Sequence, residues 1–262
     1  MAKTFYYDDK DMLGLTLTEG AFGISGGVLA FSAGNTTSNQ ERLNDQSTAT
    51  AISSFSNVNS SGGDAIVIPF GTNRKIDFIA VYMNASEAHD LKFAKEGSTD
   101  NEFDEITDAH FTSTFSVGWA LKEFTEVVSD NYMIYTFNGD IEYLTEVIVG
   151  SRLAFEVNPD IGIGEVESFN TEVNTSIGGV EYAVKMGNPR TTLSMEFSSI
   201  SSTFKDKLQS MQEEVQDYKK FIYSEDGTTG PFHYVRLDSP ISFKEVSYQR
   251  HSASLTLVEQ LS

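Results

Sequence analysis

Few residues in this chain have both the type and the spacing that chemistry requires. Four histidines, His89, His110, His233 and His251, are scattered, and no two stand at the i, i+4 spacing that puts a pair of imidazoles on one helix face for zinc. Asp100, Glu102, Asp104 and Asp108 suggest a calcium loop. Such a loop needs glycine at its sixth position and a carboxylate at its twelfth, and these hold Glu105 and Phe111. A looser calcium site and a solvated acidic loop are the two readings left for this stretch. Gly23-Ile24-Ser25-Gly26-Gly27 fits the spacing of a serine nucleophile elbow. That chemistry needs a strand before the serine and a helix after it, and Val28–Ala33 followed by Asn35-Thr36-Thr37-Ser38 offers no helix. No phosphate-cradling or dinucleotide-binding glycine motif is present. The 38 carboxylates leave a glycosidase pair open without marking out two of them. Trp119 and its aromatic neighbours have the flat apolar faces on which a sugar ring stacks, although packing in a core is the commoner role of such residues. No catalytic, cofactor-binding or metal-binding residue is assigned, and a protein without enzymatic activity is expected.

The elements that must position these residues are mostly strands. Ala65–Phe70 and Ile76–Met83 are apolar runs too short for independent helices, and the second is rich in β-branched and aromatic residues. Tyr132–Phe137 and Tyr143–Gly150 repeat the theme, separated by the hairpin signal Asn138-Gly139-Asp140. A polar stretch carrying Phe103, Phe111, Phe115 and Trp119 lies between the two pairs. Further strands are predicted over Thr171–Asn174, Glu181–Met186, Thr191–Phe197, Lys220–Tyr223, Phe232–Leu237, Ile241–Val246 and Ser252–Val258. A Gly178-Gly179 turn separates the first two, and Leu193, Met195 and Phe197 alternate with polar residues. One helix is predicted over about 202–218, from an apolar stripe of Ile200, Phe204, Leu208, Met211, Val215 and Tyr218, with Ser201 and Ser202 available as caps.

The fold class is therefore mainly β, an all-β-rich α+β chain: a β-sandwich plus a second β domain that carries the helix. Glycines through residues 1–34 argue against helix and predict an extended N-terminal arm or irregular strands. The Ser/Thr/Asn-rich stretch 35–64 reads as loop. Pro159, Gly162 and Gly164 mark a boundary within 151–165, giving domains over 35–158 and 159–262.

Composition narrows the partners. The chain has 262 residues, 39% hydrophobic, which is enough for a core in each of two domains. Its formal net charge of −20 repels duplex DNA and anionic membranes, so sequence-specific nucleic-acid binding is not expected. The same charge suits an acidic channel through which DNA passes without sticking. Cysteine is absent, which removes disulfides and thiolate chemistry. The opening MAKTFYYDDKDMLG has no apolar run and no stretch is long enough to span a membrane. The expectation is a soluble protein made in a reducing cytoplasm, with no membrane insertion.

Two resemblances extend this reading. Ile76-Asp77-Phe78-Ile79-Ala80-Val81-Tyr82-Met83-Asn84, with Leu144-Thr145-Glu146-Val147-Ile148-Val149-Gly150, resembles a galactose-binding-like, discoidin-type β-sandwich over roughly residues 35–155. That family often binds carbohydrate and also serves as an inert structural module; no sugar-binding residue maps onto this chain. Residues 160–262 resemble the C-terminal parts of tail proteins of long-tailed bacteriophages. The resemblance rests on Gly187-Asn188-Pro189-Arg190, the strand ending at Phe197, the amphipathic helix, Lys220-Phe221-Ile222-Tyr223, Tyr234-Val235-Arg236-Leu237 and Leu255-Thr256-Leu257-Val258-Glu259. It implies a tail-tip subunit of the distal-tail or baseplate-hub kind, located in the virion tail. The subunit would form a homo-oligomeric ring of six copies and contact tube, hub and fibre proteins. Strands near Glu181–Phe197 and Ile241–Val258 would face the channel, and the N-terminal arm would clasp a neighbour. A carbohydrate-binding adhesin that contacts host glycan is the alternative.

Overall fold

The computed structural model describes residues 3–8, 18–25, 28–33, 62–83, 90–98, 102–111, 117–136, 144–160, 164–168, 171–176, 179, 181–185 and 189–260. Among these, sixteen strands and one α-helix make the chain mainly β. It divides into two compact units. One is Tyr6–Arg152, and the other combines the first five residues with Leu153–Leu261.

The strands of the first unit are β1 (Thr4–Tyr7, shared across the division), β2 (Thr18–Ser25), β3 (Val28–Ala33), β4 (Gly62–Met83), β5 (Lys92–Glu96), β6 (Glu102–Glu105), β7 (Gly118–Thr136) and β8 (Leu144–Ala154, also shared). The two apolar runs at 65–70 and 76–83 are the halves of one long strand, β4. Its register against β7 slips between Pro69 and Arg74, where Gly71 takes φ +68°, a value that glycine adopts without strain. Tyr132 fastens this bend, because its hydroxyl lies 2.7 Å from the Arg74 carbonyl and 3.2 Å from that of Val127. β4 changes partners along its length. Its first half pairs with β2 and β7, and the antiparallel path β2-β3-β6-β5-β7-β4 returns to β2. Its second half pairs with β7 on one side and β8 on the other. The glycine-rich stretch, expected as an extended arm or irregular strands, supplies β2 and β3 to this unit, since an antiparallel pair tolerates the glycines that a helix would not.

Period-two alternation then sorts the side chains into two cores. Ile66, Ile68, Phe93, Tyr132 and Ile134 join Ile79, Val81, Val147 and Val149 in one cluster. Their neighbours Ala65, Val67, Ala94, Met133 and Tyr135 form another with Leu29 and Phe103. Burial on both faces explains why these segments read as continuous apolar runs. The signal at Asn138-Gly139-Asp140 and Phe115 lie outside the described residues.

The second unit holds β9 (Gly164–Ser168), β10 (Thr171–Thr175), β11 (Glu181–Lys185), β12 (Arg190–Ser201), α1 (Ser202–Val215), β13 (Phe221–Ser224), β14 (Phe232–Leu237), β15 (Ser242–Ser247) and β16 (Arg250–Glu259). β12 and β16 are its spine, antiparallel from Thr192↔Val258 to Ser201↔Arg250. The expected alternation holds: Leu193, Met195 and Phe197 are buried while Ser194 and Glu196 are exposed. Phe204, Leu208, Met211 and Val215 are buried, and α1 packs on β12 and β16.

The helix begins at Ser202, where its predicted span begins, and ends earlier than predicted, at Val215; both ends of the predicted stripe lie outside it. Ile200 is buried, but from strand β12. At the other end Gln216 takes φ +51° and closes the helix, so Tyr218 leaves the stripe and is 52% exposed. Ser201 is the cap: its hydroxyl accepts the Phe204 N–H at 3.1 Å and donates to Glu156. Ser201→Ala is expected to cost this unit about 1 kcal/mol, read as an earlier urea midpoint with unchanged slope.

Candidate functional site

The strand register brings together three residues that lie far apart in sequence. Tyr82 on β4 stands opposite Trp119 on β7 and, on its other side, opposite Glu146 on β8. Directly paired residues share a sheet face, so the three form a row across three strands. The rings of Tyr82 and Trp119 meet edge to face, with centroids 5.3 Å apart and planes at 72°. Both are half-buried, whereas Glu146 is 2% exposed. Gly118 sets the entry of β7. Its φ of +125° is closed to other residues, and nothing within 4 Å would obstruct a side chain there, so the requirement is conformational. The Thr145 hydroxyl donates to the Tyr82 carbonyl at 3.2 Å and fastens β8 to β4 beside the row. The two half-buried rings give apolar surface for the C–H face of a pyranose, whereas the Glu146 carboxylate is buried beside them.

On the same strands Glu123 and Asp77 are engaged otherwise. Arg152 pairs with both, and the Tyr6 hydroxyl donates to Glu123 at 2.5 Å. These charges satisfy one another and hold the strands in place.

The residues that the sequence singled out for chemistry are dispersed. His89 and Asp100 lie outside the described residues. Glu102 and Asp104 are on strand β6 and Asp108 is in a following 3-10 turn, so a strand's alternation, not a loop, sets their directions. Among the described residues no group of three or more His, Asp or Glu could hold a metal ion. Ser25 ends β2, and β3 begins at Val28, so the elbow-like pattern runs from strand to strand. His233 has Nδ1 3.2 Å from Glu259 and Nε2 3.7 Å from Glu225. His251 Nε2 lies 3.3 Å from the Ser202 hydroxyl and ties β16 to the helix start. A cleft of about 430 Å³ beside the end of α1 is lined by Glu213, Asp217 and Asp238 with Leu237 and Pro240, and has no aromatic wall.

His110 belongs to a separate cluster. The Tyr135 hydroxyl donates to Glu105 at 2.6 Å, and Lys92 lies 3.7 Å from the same carboxylate. The hydrogen bond from Tyr135, against some burial, holds the Glu105 carboxyl below the usual range. Burial lowers the His110 pKa, partly offset by Glu105. A base with a depressed folded pKa loses its stability contribution as pH falls below the unfolded value of about 6.5. The Glu105 contribution survives until pH falls below the ordinary carboxylate range. His110→Gln is therefore expected to shrink the drop in melting temperature between pH 7.5 and 5.5, and an unchanged drop would show that His110 is not a source of it.

No family model matches the chain, and no curated protein matches it. Among solved structures, chitosan-binding module 1 of a chitosanase/glucanase from Paenibacillus sp. IK-5 aligns at TM-score 0.38 and 14% identity, over 56% of this chain and 100% of the module. Module 2 of that enzyme, in complex with chitotriose, aligns at TM-score 0.38 and 13% identity, over 53% of this chain and 98% of the module. A Ruminococcus gnavus fucosidase in complex with fucose aligns at TM-score 0.37 and 12% identity, over 57% of this chain but 27% of the enzyme. Likeness this distant decides nothing about ligand or activity.

Tyr82 and Glu146 were not marked by the sequence as partners of Trp119. The only available signal was parity within the runs 76–83 and 144–150, and parity becomes a contact only once the register is known.

Proposed function

We propose that the chain is a non-catalytic glycan-binding protein whose unit 6–152 contacts carbohydrate through the half-buried rings of Trp119 and Tyr82, with Glu146 buried beside them. The row of two edge-to-face rings beside a carboxylate carries this reading. The net charge of −20 selects among sugars: it repels sulfated or uronic-acid chains and favours neutral or amine-bearing ones. The test is a glycan array followed by calorimetric titration with chitotriose, a neutral oligosaccharide and a uronic-acid oligosaccharide. Binding of either of the first two over the third supports the reading. A flat array, or preference for the acidic ligand, overturns it.

A second reading is favoured by a different observation, two strand edges of unit 153–261 that no described strand covers. In it the chain is a structural subunit of a bacteriophage tail tip, a ring that links tube to adsorption machinery and uses the sandwich to touch host glycan. The two readings are compatible in one molecule. Native mass spectrometry that finds only monomer, together with absence of the chain from imaged virions, would exclude the second.

A further inference from the structure

Residues 106–111 form a strap on unit 6–152 that backbone hydrogen bonds tie down at both ends. The Ile106 N–H donates to the Phe93 carbonyl on β5 at 2.9 Å. Leu91, just before β5, and Phe111 exchange N–H···O bonds of 3.0 and 2.8 Å. Between these ties runs the 3-10 turn Thr107–Ala109. Ile106, Ala109 and Phe111 are buried in the cluster that holds Phe93, Val81 and Val147. His110 sits between Ala109 and Phe111, the two least exposed residues of the strap.

His110 is the member of the strap whose charge changes near neutral pH. Its ring is half-buried, and its Nε2 is buried with no hydrogen-bond partner among the described residues. The neutral ring tolerates this, because the Nδ1–H tautomer leaves only an acceptor unfilled at Nε2. Protonation puts an N–H donor there and a positive charge on the ring, and a buried charged donor without an acceptor is costly. Acceptors stand outside. Among the described residues, the charged groups that act on His110 are Glu105 at the end of β6, Asp90 beside Leu91, Asp108 in the turn and Lys92 on β5; the Tyr135 hydroxyl on β7 is turned to Glu105. Glu105 and Asp108 are exposed. Three carboxylates against one ammonium favour an imidazolium once the ring is in solvent. While the ring is inside, burial outweighs them and holds its pKa below the ordinary value.

We propose that His110 is an acid-released latch: protonation turns its ring out toward Glu105, Asp90 and Asp108, and the strap 106–111 parts from Leu91 and Phe93. The opening is local. It breaks three backbone hydrogen bonds and uncovers Ile106, Ala109, Phe111 and Leu91, while the pairing of β4 with β7 and the whole of unit 153–261 stay as they are. The latch is independent of the glycan reading and holds whether or not unit 6–152 binds a sugar.

Hydrogen exchange of the full chain at pH 7.5 and 5.5, corrected for the intrinsic pH dependence of exchange, tests this. A solvated imidazole has a pKa of about 6.5, so if the closed form takes no proton the open fraction rises by at most about tenfold between these pH values. Protection of the Leu91, Ile106 and Phe111 amides should therefore fall by about three- to tenfold, while the amides of β12 and β16 keep theirs. His110→Gln, neutral throughout, should hold one level of protection at both pH values. The pH course of the wild-type chain is a second reading that needs no variant. A histidine latch begins to open near pH 6.5, whereas loosening driven by carboxylates begins below about pH 5. Equal protection at both pH values, a fall that persists in a folded His110→Gln chain, an onset only in the carboxylate range, or a fall shared equally by β12 and β16 overturns the latch.

Discussion

Replacing Phe155 by alanine should destabilise the unit built from residues 153–261 by about 3–5 kcal/mol. The side chain is 6% exposed, and four other rings surround it. Phe5 stands edge to face at 4.7 Å, Phe197 at 5.5 Å and Phe204 at 6.2 Å, and Tyr223 is stacked at 6.2 Å. Truncation removes the transfer free energy of a benzyl group and leaves a void whose walls come from four separate segments of chain. Such walls relax poorly, which places the cost toward the upper end of the range. Each lost ring contact adds about 0.5–1.5 kcal/mol beyond buried area. Phe155→Leu refills most of the volume and should cost less than half as much. The measurement is urea denaturation of both variants, followed by far- and near-ultraviolet circular dichroism. A shift of less than 1 kcal/mol for the alanine variant would show that Phe155 does not sit at the centre of this core.

That residue also shows where reading the sequence stops working. Pro159, Gly162 and Gly164 punctuate residues 151–165 so strongly that the stretch reads as a boundary loop. Yet Leu153 and Phe155 are buried on either side of exposed Ala154, a strand's alternation compressed into three residues. Three residues are too few to outweigh three breakers. Where the pattern ran longer it was legible: 65–70, 76–83 and 191–197 are strands, and Phe204, Leu208, Met211 and Val215 are the buried face of a helix. The end of that helix was not legible. Gln216 turns the chain at positive φ without the glycine or asparagine that usually announces it. Chemistry was less legible than fold, because the row at Trp119 comes from cross-strand register, which leaves no local motif.

Trp119→Ala is expected to weaken glycan binding about 30-fold, roughly 2 kcal/mol, the loss usual when an aromatic anchor is truncated at a binding surface. The indole is half-buried and meets Tyr82 edge to face, so truncation also removes packing and should lower stability by about 1 kcal/mol. Affinity must therefore be compared well below the melting temperature of the variant. Trp119→Phe separates the two effects: it keeps a ring against Tyr82 but offers a sugar less area, so stability should be nearly conserved while affinity falls by several-fold. The opposite pattern, melting temperatures that shift while all affinities stay at the wild-type value, would make the Tyr82–Trp119 pair a packing contact and would leave the glycan reading without a site. Only a result in which affinity moves further than stability assigns the row to recognition, because a pair of rings that merely closes a sheet edge changes the two together.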